Sequence, residues 1–180
     1  EEASGIRILE IDRVFTLPQV AVSYYPSYVE EEAIHAVDET IPVKAITAYV
    51  YEEFLQNLNK DFAKREGLLF VGGFAHPPNA DAVLWFAKEV FPKIREQIKV
   101  NFYIVGSKVT DEIKALEQPG NGIIVKGFVS EEELADLYRN CRIVVVPLRY
   151  GAGVKGKVVE AIYNGAPSSP PPSAARESRM

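Results

Sequence analysis

Only one cysteine, Cys141, occurs among the 180 residues of the chain, so the protein can form neither an internal disulfide nor a metal site built from cysteines. Cys141 precedes a strand-like apolar run, and we expect it to be a small buried hydrophobic residue rather than a reactive thiol. No apolar run approaches the ~18 residues that a membrane-spanning helix requires, and no signal peptide is visible. We therefore expect a cytoplasmic protein, at most peripheral at a membrane.

An excess of basic residues is also missing. The 20 Lys and Arg are outnumbered by 25 Asp and Glu, which gives a net charge of -5 and a pI near 5.2. A protein that neutralises many phosphates of a nucleic acid gathers basic side chains instead. We therefore do not expect this protein to bind nucleic acids in general. The 47% hydrophobic and 25% charged residues are typical of a globular protein.

From Leu68 onward, strand-like and helix-like segments alternate four times with short connections. The predicted strands lie at 68–74, 100–106, 122–128 (a shorter one) and 142–148, and the predicted helices at 76–98, 110–120, 131–140 and 157–165. Such alternation predicts a parallel sheet with helices on both faces and right-handed crossovers. The fold class that we expect is therefore α/β with a Rossmann-like sheet.

Several residues mark where these helices begin and end. Asn79 is expected to be an N-cap, and Pro92 should kink the long first helix or end its first half. Ser130 and Glu133 have the spacing of a capping box. Gly165 is expected at the C-terminal cap of the last helix.

The two ends of the chain differ from this central part. Residues 1–60 contain one strand, helix, strand pattern, which we expect to be the remnant of a neighbouring domain, and the charged start without an initiator methionine suggests a chain cut from something longer. We expect residues 61–167 to form the main domain. The Pro- and Ser-rich residues 168–180 are expected to be a disordered tail. We further hypothesise that this tail is out of frame and replaces the next strand of the fold, which the gene sequence would test.

A glycine-rich stretch, "GAGVKG" at 151–156, follows the fourth predicted strand. It matches the dinucleotide pattern G-x-G-x-x-G weakly, because in nicotinamide-binding folds that pattern follows the first strand. With the common sheet order 3-2-1-4, strands one and four are neighbours, and ligands bind outside their carboxyl ends. The loops "GGFAHPPN" and "RYGAGVKGK" would then face one crevice.

This junction has the features of a phosphate site. The glycines Gly151, Gly153 and Gly156 allow close approach of a ligand, and a helix N-terminus directs N–H groups and partial positive charge at it. Arg149, Lys155 and, with less weight, Lys157 could add charge, although a solvated basic loop also explains them. Glu160 either accepts hydrogen bonds from ribose hydroxyls or is an acid placed favourably near a helix N-terminus.

"LLFVGGFAHPPNADAVLWF" and "GAGVKGKVVEAIYNGAP", taken together, resemble the donor-binding (C-terminal) domain of retaining glycosyltransferases of the GT-B architecture. The resemblance covers Leu68 to Pro167 and points to the glycogen-synthase-like and sucrose-synthase-like group (glycosyl transferases group 1). More weakly, residues 1–60 are similar to the end of the acceptor domain and the interdomain link. The resemblance implies that a sugar is transferred from a nucleoside-diphosphate sugar, without a metal or a resident cofactor.

The resemblance also implies roles for individual residues. Those implied to bind the donor diphosphate are Gly72, Gly73, Arg149, Gly151, Gly153, Val154 and Lys155. Glu160 is implied to bind the ribose, and Lys126, Gly127 and Phe128 to contact the base, although a plain turn also explains that segment. His76 either packs in its loop or contacts the donor. Three positions depart from the family's pattern, since its sugar-contacting glutamate falls on Ala152, its diphosphate-binding arginine on Gly73 and the partner lysine around Pro78 or Asn79.

Two other readings stay open at this point. A nucleotide-sugar epimerase of the same architecture would need catalytic acids from another domain. A non-catalytic α/β binding module is the second, although a receiver-like domain should carry acids after its first strand and "FVGGF" has none. We do not expect this chain alone to catalyse transfer, and the sequence leaves the sugar, the base, the acceptor and the oligomeric state open.

Overall fold

The computed structural model describes residues 21–25, 28–46, 61–150 and 156–169. The chain divides into two compact units, and the described residues up to 46 belong to the first of them. The second unit contains the remaining described residues. Residues 170–180, most of the predicted tail, lie outside the described part, as do 1–20 and 47–60.

The first unit contains one parallel strand pair and a helix. Its elements are β1 (Ser23–Tyr25), α1 (Tyr28–His35) and β2 (Val43–Ala45). Strand β1 pairs with β2 in parallel, and Ile34 of the helix packs with Ile41 and Val43 in a small core. The predicted strand, helix, strand pattern is therefore confirmed in this region.

The second unit is built on a four-stranded parallel sheet. Its strands are β3 (Leu68–Val71), β4 (Phe102–Val105), β5 (Ile123–Gly127) and β6 (Ile143–Val144), in the order β5-β4-β3-β6. This is the expected order 3-2-1-4. Leu69, Phe70 and Ile104 are fully buried, because helices that cover both faces of a parallel sheet leave its strands no solvent side.

The helices of the second unit follow the predicted alternation. They are α2 (Pro77–Trp85), α3 (Phe91–Gln97), α4 (Asp111–Lys114), α5 (Glu131–Asn140) and α6 (Gly156–Tyr163), preceded by a 3₁₀ turn at Phe62–Lys64. A single π-helical turn, Phe86–Val90, separates α2 from α3. The α/β Rossmann-like fold class is confirmed.

Pro92 lies in the first turn of α3, directly after the π-helical turn. Proline donates no backbone N–H and its ring collides with the carbonyl four residues earlier, so a regular α-helix cannot pass through it. The wider turn brings both Phe86 and Phe91 against Phe102 of the sheet, with ring centroids 5.0 Å and 5.5 Å apart. The expected break at Pro92 is confirmed, and core packing fixes its form.

Two predicted helix ends are also confirmed. The Ser130 hydroxyl accepts a hydrogen bond from the backbone N–H of Glu133 at 3.2 Å, as an N-cap does. Gly165 has φ +66° and ends α6. The N–H of Gly165 bonds to the carbonyl of Ile162, and that of Ala166 to the carbonyl of Ala161, which is the Schellman pattern.

Two predicted strand lengths were wrong. Strand β5 has five residues and is not shorter than its neighbours. Strand β6 has only two, because Pro147 lacks an N–H and the N–H of Val146 bonds to the hydroxyl of Ser169 instead of a main-chain carbonyl. Ser168 forms a parallel bridge to Val144, so ordered pairing continues past Pro167, where we expected the tail to begin.

Cys141 is buried at the end of α5, as expected. Its thiol donates to the carbonyl of Tyr138 at 3.5 Å. Burial raises the pKa of the Cys141 thiol to about 11. The residue is therefore a small core side chain and not a thiolate nucleophile.

Candidate functional site

The candidate site lies at the carboxyl end of β3, where the neighbouring strands β3 and β6 lead into different helices. The loop after β3 is tied to the end of β4, since Gly72 donates to the carbonyl of Val105 at 3.0 Å and Phe74 to that of Ser107 at 2.9 Å. A Cβ atom on Gly106 would lie 1.8 Å from the carbonyl oxygen of Gly72. The two strand ends therefore meet backbone against backbone.

Gly72 also faces side chains from two helices. A Cβ atom at this position would lie 2.9 Å from Cε of Lys157, in the first turn of α6. It would lie 3.0 Å from Nδ2 of Asn79, in the first turn of α2. Lys157, the last residue of the second predicted loop, therefore meets the first loop here. Four other predicted site residues lie outside the described part, namely Gly151, Gly153, Val154 and Lys155.

The prediction that Asn79 caps α2 is wrong. The helix begins at Pro77, and His76 takes the N-cap position without a side-chain hydrogen bond. Two prolines in the first turn have no N–H groups to satisfy and are already held near the helical φ, so a side-chain cap is not needed. Asn79 is instead only 4% exposed and donates from Nδ2 to the carbonyl of Gly73 at 2.7 Å.

The carboxamide oxygen of Asn79 is buried, and no group in the described part of the chain donates a hydrogen bond to it. Rotating the amide would not correct this, because Oδ1 would then face the carbonyl of Gly73, which is also an acceptor. A buried polar atom without a partner costs roughly 1–3 kcal/mol. This oxygen is therefore a feature of the site that needs an explanation.

Arg149 approaches the crevice from the end of β6, but it is engaged by an acid. Its Nε donates to Oδ2 of Asp81 at 2.9 Å, and its Nη2 donates to Oδ1. The guanidinium also lies 5.7 Å from the ring centroid of Trp85. The hydrogen bonds from Arg149 lower the pKa of Asp81, although partial burial opposes this, and Asp81 raises the pKa of Arg149. Both groups are therefore charged and balance each other.

Helix α6 presents a base and an acid on one side. Lys157 and Glu160 are three residues apart, so their side chains neighbour each other on the helix surface. Both are half-buried, while Ala161 is fully buried. The ammonium nitrogen of Lys157 lies 5.9 Å from the ring centroid of Phe70. Sequence reasoning gave Lys157 little weight, and the i, i+3 spacing to Glu160 was the signal that could have raised it.

The segment predicted to contact the base comprises the last two residues of β5 and Phe128, which follows it. Gly127 has φ +69°, and its carbonyl accepts a hydrogen bond from the N–H of Gly106 at 2.8 Å. Lys126 pairs with Glu133 at 2.6 Å and is therefore directed at α5. Phe128 is 83% exposed, so its ring is open to a planar partner.

Three further predictions concern a donor contact by His76, metal binding and membrane spans. His76 is exposed at the rim of the β3 loop, and its contact with the donor stays a prediction. Within the described ranges, no three His, Cys, Asp or Glu side chains gather where they could hold a metal ion. None of the helices described is both long and apolar enough to cross a membrane.

Comparison with known proteins decides the family. Residues 65–168 match the family model of glycosyl transferases group 1. The chain belongs to this family. Over 123 residues it is 31% identical to an uncharacterized 44.6 kDa protein in the cps region of Klebsiella pneumoniae, and the match covers 64% of this chain and 30% of that protein. The chain thus spans about a third of this relative's length.

Solved structures agree with the fold. A TarM mutant from S. aureus, in complex with fondaparinux, alpha-GlcNAc-glycerol and UDP, matches with a TM-score of 0.69 at 17% identity. The match covers 92% of this chain and 34% of that glycosyltransferase-like chain. A second crystal structure of TarM matches with a TM-score of 0.68 at 15% identity and covers 91% and 33% of the two chains. At these identities the likeness shows the GT-B-type domain fold alone.

Proposed function

We propose that the second unit binds the nucleoside-diphosphate sugar of a retaining glycosyltransferase, which transfers the sugar to an acceptor. Membership of glycosyl transferases group 1 supports the transferase class. The UDP in the matching TarM complex supports a nucleotide as the leaving group. The sheet order supports the place, since ligands of open α/β sheets bind where neighbouring strands lead in opposite directions.

The observation that carries this proposal is the convergence at Gly72. Because Gly72 has no side chain, Lys157 and Asn79, from the first turns of α6 and α2, both approach its Cβ position within 3.0 Å, and the eight-residue helix α6 begins there. A helix N-terminus offers unpaired N–H groups and about half a positive charge to an anion. A diphosphate fits this positive potential at the start of α6.

We assign each part of the donor to residues near the carboxyl ends of the strands. Glu160 takes the ribose, and Lys126, Gly127 and Phe128 take the base, with Phe128 offering its exposed ring for stacking. His76 lies where it would contact the donor from the α2 side. The diphosphate group falls to Gly72, Gly73, Arg149 and the sequence-based candidates Gly151, Gly153, Val154 and Lys155.

The chemistry that this site supplies is electrostatic. As the glycosidic bond breaks, negative charge grows on the diphosphate leaving group. Fixed N–H donors and cations that face this charge lower the barrier by roughly 3 kcal/mol for one well-placed donor. We expect transfer to proceed without a metal ion, with the cations of the chain in its place.

Calorimetry with the full 180-residue chain tests this proposal. We expect uridine diphosphate or guanosine diphosphate to bind, and Glu160→Ala and Lys155→Ala each to weaken binding at least tenfold, about 1.4 kcal/mol. Glu132→Ala is the matched control, because Glu132 is an exposed acid in the first turn of another helix, α5. Absence of binding, or binding that neither variant changes, would favour a non-catalytic module.

A modified ligand isolates the role of Glu160. A 2′,3′-dideoxynucleoside diphosphate has no ribose hydroxyls for the carboxylate to bind. We expect the wild-type chain to prefer the ordinary nucleotide and Glu160→Ala to lose that preference. If the variant keeps the preference while binding more weakly, Glu160 acts on the helix and not on the ribose.

A further inference from the structure

We propose that Lys157 is a further cation that binds the donor diphosphate, at the end of β3, and that the buried carboxamide of Asn79 positions its ammonium group. This inference rests on the proposed function and deepens it. It assigns a binding role to one residue and a positioning role to another. Both residues belong to the second unit and lie against the same glycine.

The first step is the path of the Lys157 side chain. Its Cε lies 2.9 Å from the position that a Cβ on Gly72 would take, so the stem crosses the glycine at the strand end. Its ammonium lies 5.9 Å from the centroid of the buried Phe70 ring, within the range of a cation–π contact. The charge is thus held at the mouth of the crevice by apolar surface.

The second step is the orphaned oxygen of Asn79. Its amide nitrogen lies 3.0 Å and its Cγ 3.2 Å from the same Cβ position on Gly72, so the carboxamide and the lysine stem flank one point. Oδ1 is an acceptor without a donor. A phosphate also only accepts, so the oxygen cannot bind the diphosphate itself. An ammonium carries three donors and can bond Oδ1 and phosphate oxygens at once.

The third step concerns the charge of Arg149, another cation predicted at this site. Arg149 is paired through two hydrogen bonds with Asp81, and the pair carries no net charge. Lys157 stands at the N-terminus of α6, whose dipole adds to the attraction for an anion. The ammonium of Lys157 and the dipole of α6 together produce a positive potential beside Gly72.

The test uses calorimetry on the full chain with two probes, inorganic pyrophosphate and uridine diphosphate. Lys157→Met keeps an unbranched stem over Gly72 and Phe70 but removes the charge. We expect it to weaken binding of both probes at least tenfold, with Lys157→Arg restoring part of the affinity. Lys93→Ala is the matched control, because this exposed lysine lies in α3, which runs away from the carboxyl ends of the strands, and it should leave both affinities unchanged.

Asn79→Leu tests the positioning role. It should weaken pyrophosphate binding several-fold in the wild-type background and have no further effect in Lys157→Met, because a positioning residue acts only through the group that it positions. Thermal unfolding identifies a variant that has lost its fold, and Asn79→Ala then takes its place. A full effect of the asparagine substitution in both backgrounds overturns the positioning role.

The outcomes separate this inference from the proposed function. If uridine diphosphate binds and Lys157→Met binds it equally well, the inference is wrong and the proposed function stands. If pyrophosphate binds through Lys157 but the nucleotide binds no better, the anion site stands and nucleotide recognition falls. If the wild-type chain binds neither probe, both are wrong.

Discussion

The two basic side chains described around the crevice are held in opposite ways. On the α2 side, Arg149 donates two hydrogen bonds to Asp81 and lies beside Trp85. On the α6 side, Lys157 lies across Gly72 and beside the Phe70 ring. The first arrangement pairs a cation with an acid, while the second lays the stem of a cation over a glycine and an aromatic ring. The surroundings of a cation therefore decide what it can bind more than its position in a glycine-rich loop does.

The largest expected effect comes from forcing apart the ends of β3 and β4, next to which Lys157 of α6 lies. In Gly106→Ala the new Cβ would meet the carbonyl oxygen of Gly72 at 1.8 Å, so the ends of β3 and β4 must separate. We expect a loss of about 3 kcal/mol or more in the free energy of unfolding, measured by urea denaturation.

Gly120→Ala is the control for this substitution. Gly120 also has a positive φ, +79°, but nothing lies within 4 Å of its Cβ position. Only backbone strain of about 1–2 kcal/mol should remain. Equal losses in the two variants would show that the strand ends do not depend on close backbone contact.

A smaller effect concerns how the stability of the fold changes in acid through Asp81 of α2. Arg149 lowers the pKa of Asp81 in the folded chain, so the pair stabilises the fold above the ordinary Asp pKa of 3.8 and loses this contribution as pH falls through the lowered value. Because Arg149 is 46% exposed, we expect at most about 1 kcal/mol. Asp81→Asn should be less stable than wild type at pH 7, and the difference should shrink as the pH falls below the ordinary Asp pKa of 3.8, measured by urea denaturation. A difference that does not shrink in acid would contradict this origin.

The smallest effect sharpens the comparison of the two cations. Asp81→Asn leaves Arg149 with an unbalanced charge, so pyrophosphate should bind about two- to threefold more tightly, or about 0.4–0.7 kcal/mol. Calorimetry measures this change, and Asp136→Asn, at an exposed pair with Arg139 on α5, is the control. Weaker binding in Asp81→Asn would mean that Asp81 orients Arg149 for the anion instead of neutralising it.

The sequence predicted the parts of this molecule that depend on periodicity and on proline or glycine chemistry. The break at Pro92 and the end of α6 at Gly165 follow from steric limits that act within a few residues, while the strand order is the common one for alternating strands and helices. Asn79 was misread because Ser, Thr, Asn and Asp near a helix start usually act as caps, and the two prolines before it removed that need. The short β6 depends on Ser169, a partner 23 positions away from Val146, which no local pattern contains.

The sheet topology predicted where the two loops meet, and the resemblance named the loop residues after β6, whose binding roles stay predictions. It could not show that Asp81 neutralises Arg149, since these residues are 68 positions apart. Nor could it show that Lys157 crosses Gly72, which depends on how α6 packs on the end of β3.

A crystal structure of the chain with uridine diphosphate tests the central claim most directly. The account predicts a diphosphate beside Gly72, with a phosphate oxygen about 3 Å from Nζ of Lys157 and the ribose near Glu160. Nucleotide bound elsewhere on the sheet, with the end of β3 unoccupied, would contradict it.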